Sequence, residues 1–380
     1  MARGPRGSNR PEFRRVKTLD SYLTRRLLFA VSAAMVALLL LFVVIDVLTH
    51  RRSDILLNDV PASTVGLYYL LLVPRMLLDY HLGALATLLA TLFVLGSAAQ
   101  HNEFTALHSC GVPLRRIARA PLLIAAAVSF LLLLMGETFG PASARAALAI
   151  EEQYFGKHTR GSFAERPGIS WSNLSGGWTC HIDKFNRVAL TGEHVLMLKR
   201  RDTEHEMIRA RRMYWDPQDG EWILEDAIWT VFFPEKGMAV KVRRVTQEPA
   251  PLDETPEELF APFEDTATRN AAGLRGVMEN ASRKGMPLTR LKVDYYTKFS
   301  KPILPLVMIW LAVPFASRAR RGGLSMGFGV SIALGISYLL VFSACQNLGY
   351  AGHVTPFMGA WLANFAFLIA GTALFTRTPT

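Results

Sequence analysis

The chain has 380 residues, of which 51% are hydrophobic and 19% charged, against about 25% charged in an average soluble domain. That balance excludes disorder over most of the length and an ordinary soluble protein. The net charge of +11 leaves nucleic acid or a membrane surface as partners, and only its placement decides between them.

Residues 1–26 form a basic segment, with eight Lys and Arg against Glu12 and Asp20. Leu27–Leu48 is the first run able to cross a bilayer, which takes about 20 mostly apolar residues. Asp46 is its one charge. It is too long for the apolar part of a signal peptide, and no small-residue cleavage site follows it. Leu82–Ala99 is the second span, with its helix beginning near Leu70, and Ala120–Gly136 the third. A long stretch without spans follows. Pro302–Ser317 is the fourth, extended by Tyr295–Phe299, and its Pro302, Pro305 and Pro314 predict an irregular or kinked helix. Leu324–Leu348 and Thr355–Phe375 complete a three-plus-three arrangement.

Short-loop Lys and Arg set the orientation. The basic N-terminus, Arg115, Arg116 and Arg119 after span two, Arg318, Arg320 and Arg321 after span four, and Arg377 after span six all fall on one side. Both termini are then cytoplasmic, and residues 141–293 lie on the far side. That segment has 22 basic and 22 acidic residues. The excess charge therefore reports topology, and nucleic acid is not an expected partner. Arg51 and Arg52 go against the rule, because they follow span one on the outer side.

Within 141–293, residues 142–154 read as a helix extending span three outward. From about Gly177 to Gln247 the chain reads as β. Met207–Trp215 and Trp222–Phe233 flank Asp216-Pro217-Gln218-Asp219-Gly220, a hairpin signal. About six to eight antiparallel strands are expected, in a sandwich or open roll. Ala267–Lys284 reads as an amphipathic helix stopped by Gly285 and Pro287. The predicted fold class is a membrane α-helical protein of six spans with an inserted antiparallel, jellyroll-like β domain.

Enzymatic signatures are missing. Cys110, Cys180 and Cys345 are far apart, with no metal-ligand spacing. No phosphate-binding Gly-x-x-x-x-Gly-Lys-Ser/Thr occurs. No Gly-x-Ser-x-Gly or His-Glu-x-x-His is found either. No catalytic residue, metal or cofactor is expected, so any work done must draw on a partner.

The segment Asn-Glu-Phe-Thr-Ala-Leu-His-Ser-Cys-Gly-Val-Pro-Leu-Arg-Arg-Ile at 102–117 resembles the Glu-x-x-Ala-Leu-x-x-x-Gly-hydrophobic signature of the LptF/LptG permeases. These are the membrane subunits of the lipopolysaccharide-export ABC transporter. Gly-Glu-Thr-Phe-Gly-Pro-Ala-Ser-Ala-Arg at 136–145 is similar to that family's Asn-Glu-x-x-x-Pro-x-Ala-Asn, and Arg320-Arg321-Gly322-Gly323 to its Arg-x-Gly-Gly run. Gly136 and Pro113 depart from the usual Asn and Ser. The resemblance covers about residues 19–376.

The resemblance implies an inner-membrane permease that pairs with a homologous permease above a cytoplasmic ABC ATPase dimer. It would pass lipopolysaccharide through a periplasmic jellyroll to a bridge protein of jellyroll type. Its organisation would be a basic segment at 1–26, spans one to three at 27–140, a β domain with amphipathic helix at 141–293, and spans four to six at 294–376. Residues 101–111 would be the coupling helix. Phe104, Leu107 and His108 share one face at i, i+3 and i+4, Glu103 would pair with a basic residue of the ATPase, and Gly111 would end the helix in a left-handed turn. Spans one and five, the latter rich in Gly327, Gly329 and Gly335, would form a lateral gate. Arg51, Arg52, Arg75, Lys298 and Lys301 are the candidates for lipid phosphate, although interfacial snorkelling accounts for such residues too. Val188, Leu190, Val195, Met197, Val240 and Val242 are chosen by alternation as an apolar inner face for acyl chains. An ordinary β core predicts the same set.

Overall fold

A computed structural model describes residues 11–109, 111–155, 165–172, 177–186, 189–200, 204–233, 239–256, 259, 265–318 and 323–377. The chain forms two units. One comprises Met1–Arg52, Ala62–Ala147 and Val293–Thr380, and the other Ser53–Pro61 and Leu148–Lys292.

The first unit is helical. Helix α1 (Pro11–Asp46) runs into a π-helical turn at Val47–Arg51 and then α2 (Arg52–Leu57), which lies mostly in the second unit. It is followed by α3 (Ala62–Leu78), α4 (Leu82–Gln100), α5 (Glu103–Ser109), α6 (Leu114–Ile117), α7 (Arg119–Glu137) and α8 (Phe139–Ile150), the last ending in a second π-helical turn at Glu151–Phe155. Among the described residues, six helices are long and apolar enough to cross a membrane, and they coincide with the six runs in the sequence. The second does not extend smoothly toward Leu70. The chain breaks at Asp79–His81, where His81 takes φ +59°, so α3 and α4 are separate helices.

Helix α4 is central, with thirteen of its 19 residues buried. Its Thr87 and Thr91 hydroxyls donate to the Gly83 and Thr87 carbonyls at 2.6 and 2.8 Å. This satisfies them without an outside partner. Leu88 and Leu95 of α4 share a core with Ile117, Ala125, Val307, Met308 and Ala312. After α9 (Ala271–Arg283) of the second unit, helix α10 (Thr289–Arg318) stays helical through its three prolines instead of breaking, and α11 (Gly323–Tyr350) and α12 (Pro356–Thr376) complete the first unit. Thr355 caps α12, with Pro356 at its first position. Helices α11 and α12 meet at glycines. A Cβ on Gly359 would sit 2.9 Å from the Gly349 Cα, so the contact exists only because neither residue has a side chain. Tyr338 donates to Asn364 Oδ1 at 2.8 Å, and Asn364 Nδ2 to the Ser300 carbonyl at 3.1 Å, tying α11, α12 and α10 together.

The second unit carries one six-stranded antiparallel sheet in simple sequence order: β1 (Glu165–Ser172), β2 (Trp178–Asn186), β3 (Thr191–Arg200), β4 (His205–Asp216), β5 (Glu221–Phe232) and β6 (Ala239–Pro249). Five strands match the β-reading segments. β1 lies before the segment that reads as β; it contains Pro167 and is an edge strand, where Pro is tolerated. The β4–β5 hairpin closes as foreseen, with Gly220 at φ +68°. Helix α9 (Ala271–Arg283) follows, capped by the Asn270 side chain on the Gly273 N–H at 2.8 Å, with Gly285 at φ +65° beyond its end.

A transverse crease crosses the sheet. Pairing runs Ile182↔Val195↔Ala210↔Ala227↔Val245 on one side and Lys184↔Glu193↔Arg212↔Glu225↔Gln247 on the other. The row between them, Asp183, His194, Arg211 and Asp226, is absent from these pairs and exposed, with His194 at φ +54° and Asp226 at φ +52°. Strands β2, β3 and β4 each place two exposed residues in succession there, so strict alternation stops, yet both halves bury the same side of the sheet.

Candidate functional site

Three groups of predicted residues can be located. The first is α5. Helix α4 ends at His101, Asn102 turns the chain with φ +57°, and α5 begins at Glu103. Ala106 and Ser109 point outward and are exposed. Leu107 is half-buried and packs against the membrane-unit core, together with Val112. It therefore belongs to the helix's seat, a correction to its expected place on an outward contact face. Gly111 has φ +76°, and the Val112 N–H reaches back to the Leu107 carbonyl at 3.0 Å, a helix stop of the Schellman kind. The side chains of Phe104 and His108 lie outside the described ones. Glu103 has a partner within its own chain: its Oε1 is 3.7 Å from Arg26 Nη1 of α1. Arg26 also donates to Ser97 Oγ of α4 at 2.9 Å and to Tyr22 at 3.1 Å. Sequence reasoning counted Arg26 only as a topology charge, and nothing local distinguishes it from Arg25.

The second group is the basic residues expected to meet lipid phosphate. Asp79, in the break between α3 and α4, draws two of them together. Lys301 Nζ lies 2.7 Å from Asp79 Oδ1, and Arg75 Nε 3.8 Å from Oδ2. Lys298, one turn before Lys301, is half-buried. His81 follows, 7% exposed, its ring edge-on to Phe342 at 5.3 Å, and its Nε2 has no hydrogen-bond partner among the described residues. Arg51 sits in the first π-helical turn, donates to Tyr68 OH at 3.0 Å, and lies over that ring at 5.5 Å. Such turns are frequent at functional positions. In the preceding turn Asp46 accepts from Tyr69 OH at 2.8 Å. Arg52 is exposed.

The third group is in the sheet. Val195 and Met197 are buried on one face of the sheet beside Cys180, Ile182, Ile208 and Ala210. The register carries Val242 to the opposite face, in the row Leu198, Met207 and Thr230, and it is 61% exposed. One inner face holding both sets is therefore corrected, because alternation read within one strand does not fix which side faces its neighbours' buried side. Leu190 precedes β3 in a turn with φ +48°. Val188 lies outside the described residues, as does the side chain of Val240. The buried Cys180 thiol is free, and burial, then the nearby Glu254 carboxylate, push its pKa up.

Among the described residues no His, Cys, Asp and Glu converge as a metal site. The arrangement offers an apolar helical body, an outward-facing short helix between two spans, basic residues near a helix break, and a creased β-sheet. A comparison with curated proteins gives no match. The model of the family described as lipopolysaccharide export system permease LptF/LptG matches residues 21–377. With nearly the whole chain matched, and with six spans around an inserted antiparallel sheet, this multi-pass inner-membrane transporter component belongs to the LptF/LptG family of lipopolysaccharide export permeases.

Proposed function

We propose that the chain is one of two homologous permeases that enclose a lipid cavity, driven by a separate cytoplasmic ABC ATPase dimer docked on α5. Both termini face the cytoplasm, and the β domain, within residues 141–293, is periplasmic and hands lipopolysaccharide to a jellyroll bridge protein. The observation that carries this reading is the setting of α5. A seven-residue helix joins the ends of two spans, is followed directly by Arg115, Arg116 and Arg119, is seated by Leu107, and leaves Ala106 and Ser109 turned outward. That is the form of a lever for a cytoplasmic partner.

Lipid phosphates meet Arg51, Arg52 and Lys298 first. Lys301 and Arg75 become available only if a phosphate displaces Asp79, whose carboxylate stands where a phosphate oxygen would. In the β domain, Val195 and Met197 lie on the buried apolar side that suits acyl chains, and passage over them requires that side to open.

Replacement of Glu103 by Lys sets a cation against Arg26 and against any basic residue of the ATPase. The variant is expected to insert in the membrane at native levels but to uncouple ATP hydrolysis from lipid export. Co-purification with the ATPase and a paired hydrolysis and lipid-release assay check this. Full binding with unchanged coupling would refute it.

A further inference from the structure

We infer that Arg26 is a positioning residue through which movement of α5 is delivered to α1, and that α1 works as a cantilever clamped at that point. The inference rests on the reading of α5 as the ATPase-docking helix.

Helix α1 has an uneven hold on its own chain. Leu23, Leu27 and Val31, spaced by four, are 4%, 1% and 4% exposed and pack into the core of the membrane unit. From residue 32 to Asp46 no residue of α1 is buried, and Val36, Leu40, Leu41, Val44 and Ile45 are each more than half exposed. The outer end rests on α3 through the side-chain bonds of Asp46 to Tyr69 and Arg51 to Tyr68. Among the described side chains of α1, the fully buried grip therefore spans Leu23 to Val31, with Ala34 packed partly against the same core. Beyond it runs an arm of fifteen residues, about 22 Å at 1.5 Å per residue. A tilt of about 5° at the grip displaces the far end by about 2 Å.

Arg26 lies within the gripped turns. Its planar guanidinium touches three elements at once: Tyr22 of α1, Ser97 in the last turn of α4, and Glu103 in the first turn of α5. The Ser97 carbonyl also accepts the His101 N–H at 3.1 Å and bonds the His101 ring at 2.8 Å, so the joint between α4 and α5 is fixed at the residue Arg26 holds. The pair with Glu103 is about one-third exposed on each side and contributes little to stability. Its importance is positional. It is a direct side-chain path from the outward helix to the gripped end of the arm, and the rigid, wide fork of an Arg reaches three separated partners that the compact ammonium of a Lys does not span.

The test uses the complex purified with its ATPase from native membranes into nanodiscs. Spin labels are placed at Leu40 on the arm and Phe93 on α4, both exposed, through p-acetylphenylalanine so that native cysteines stay. In the unaltered chain, trapping the nucleotide state is expected to shift the distance between the labels. Arg26→Gln is expected to keep the ATPase bound and hydrolysing while the shift disappears. A preserved shift in Arg26→Gln overturns the inference, as does loss of the ATPase itself, which would make Arg26 part of folding or docking. The outward-facing variant Ala106→Arg separates the two readings. If it leaves the ATPase bound, docking on α5 is wrong and the clamp falls with it. If it releases the ATPase while Arg26→Gln keeps the shift, only the clamp fails.

Discussion

Asp79 shows how much a single side chain can organise. It sits in a helix break and accepts Lys301 from 222 positions away at 2.7 Å while Arg75 approaches from its own helix. Charges at such places are costly and persist when paired. Replacement by Asn leaves two cations without this counter-charge. The expected loss is about 2–3 kcal/mol, below the range for a fully enclosed pair because Asp79 keeps 31% exposure. Thermal unfolding in nanodiscs measures it, and adding Lys301→Met to the variant should recover a large part. At this scale the sequence is only half legible. Lys301 and Arg75 stand out because charge is scarce near apolar runs, and the four-residue spacing already pairs Arg75 with Asp79, but Lys301's place at the same carboxylate does not show, since that contact depends on where α10 packs. Arg26 is the harder case: its neighbours Ser97 and Glu103 are adjacent only after three helices assemble.

The helices were readable because length and composition alone decide whether a segment suits a bilayer, and all six expected runs are helices in the structure. Their interruptions were not readable. The break at Asp79–His81 lies between two apolar stretches with no glycine within it, and the π-helical turns fall in polar segments, Val47–Arg51 and Glu151–Phe155, whose composition does not set them apart from an ordinary helix end. Span five illustrates what small residues do separately. A Cβ on Gly329 would meet nothing within 4 Å, whereas on Gly335 it would lie 2.6 Å from Leu85 of α4. Among the described glycines, the tightest approach to another backbone joins α11 to α12, where no side chain can swing aside. Gly359→Val should force these helices apart at a cost of about 1–3 kcal/mol or more, seen as a lowered unfolding temperature, while Gly329→Ala stays near the native value. In the sheet, strand positions followed from composition and the hairpin from its turn. Inner-face membership failed for Val242, because burial depends on the register of β6 against β5 and on the crease, both set by neighbouring strands.

For the whole molecule, charge placement predicts the two sides of the bilayer, and a labelling experiment can check it. Cys180 is a poor reporter, being fully buried with its thiol pKa raised. A cysteine at Asp219, exposed in the β4–β5 turn, should react in intact spheroplasts with a membrane-impermeant maleimide, and Cys180 should react only after denaturation. Labelling at 219 that requires cell lysis would reverse the assigned orientation. The crease in the sheet sets a rule for which length changes this chain can survive. The unpaired row Asp183, His194, Arg211 and Asp226 lines up only while the number of residues from each hairpin to that row is conserved. Deleting one residue between Thr191 and His194 would slide β3 out of step with both neighbours and turn Val195 and Met197 toward water, whereas extra residues in the β4–β5 loop leave every strand in step. Insertions and deletions tolerated by this domain should therefore collect at strand connections, and the lengths of the strand halves should stay nearly fixed.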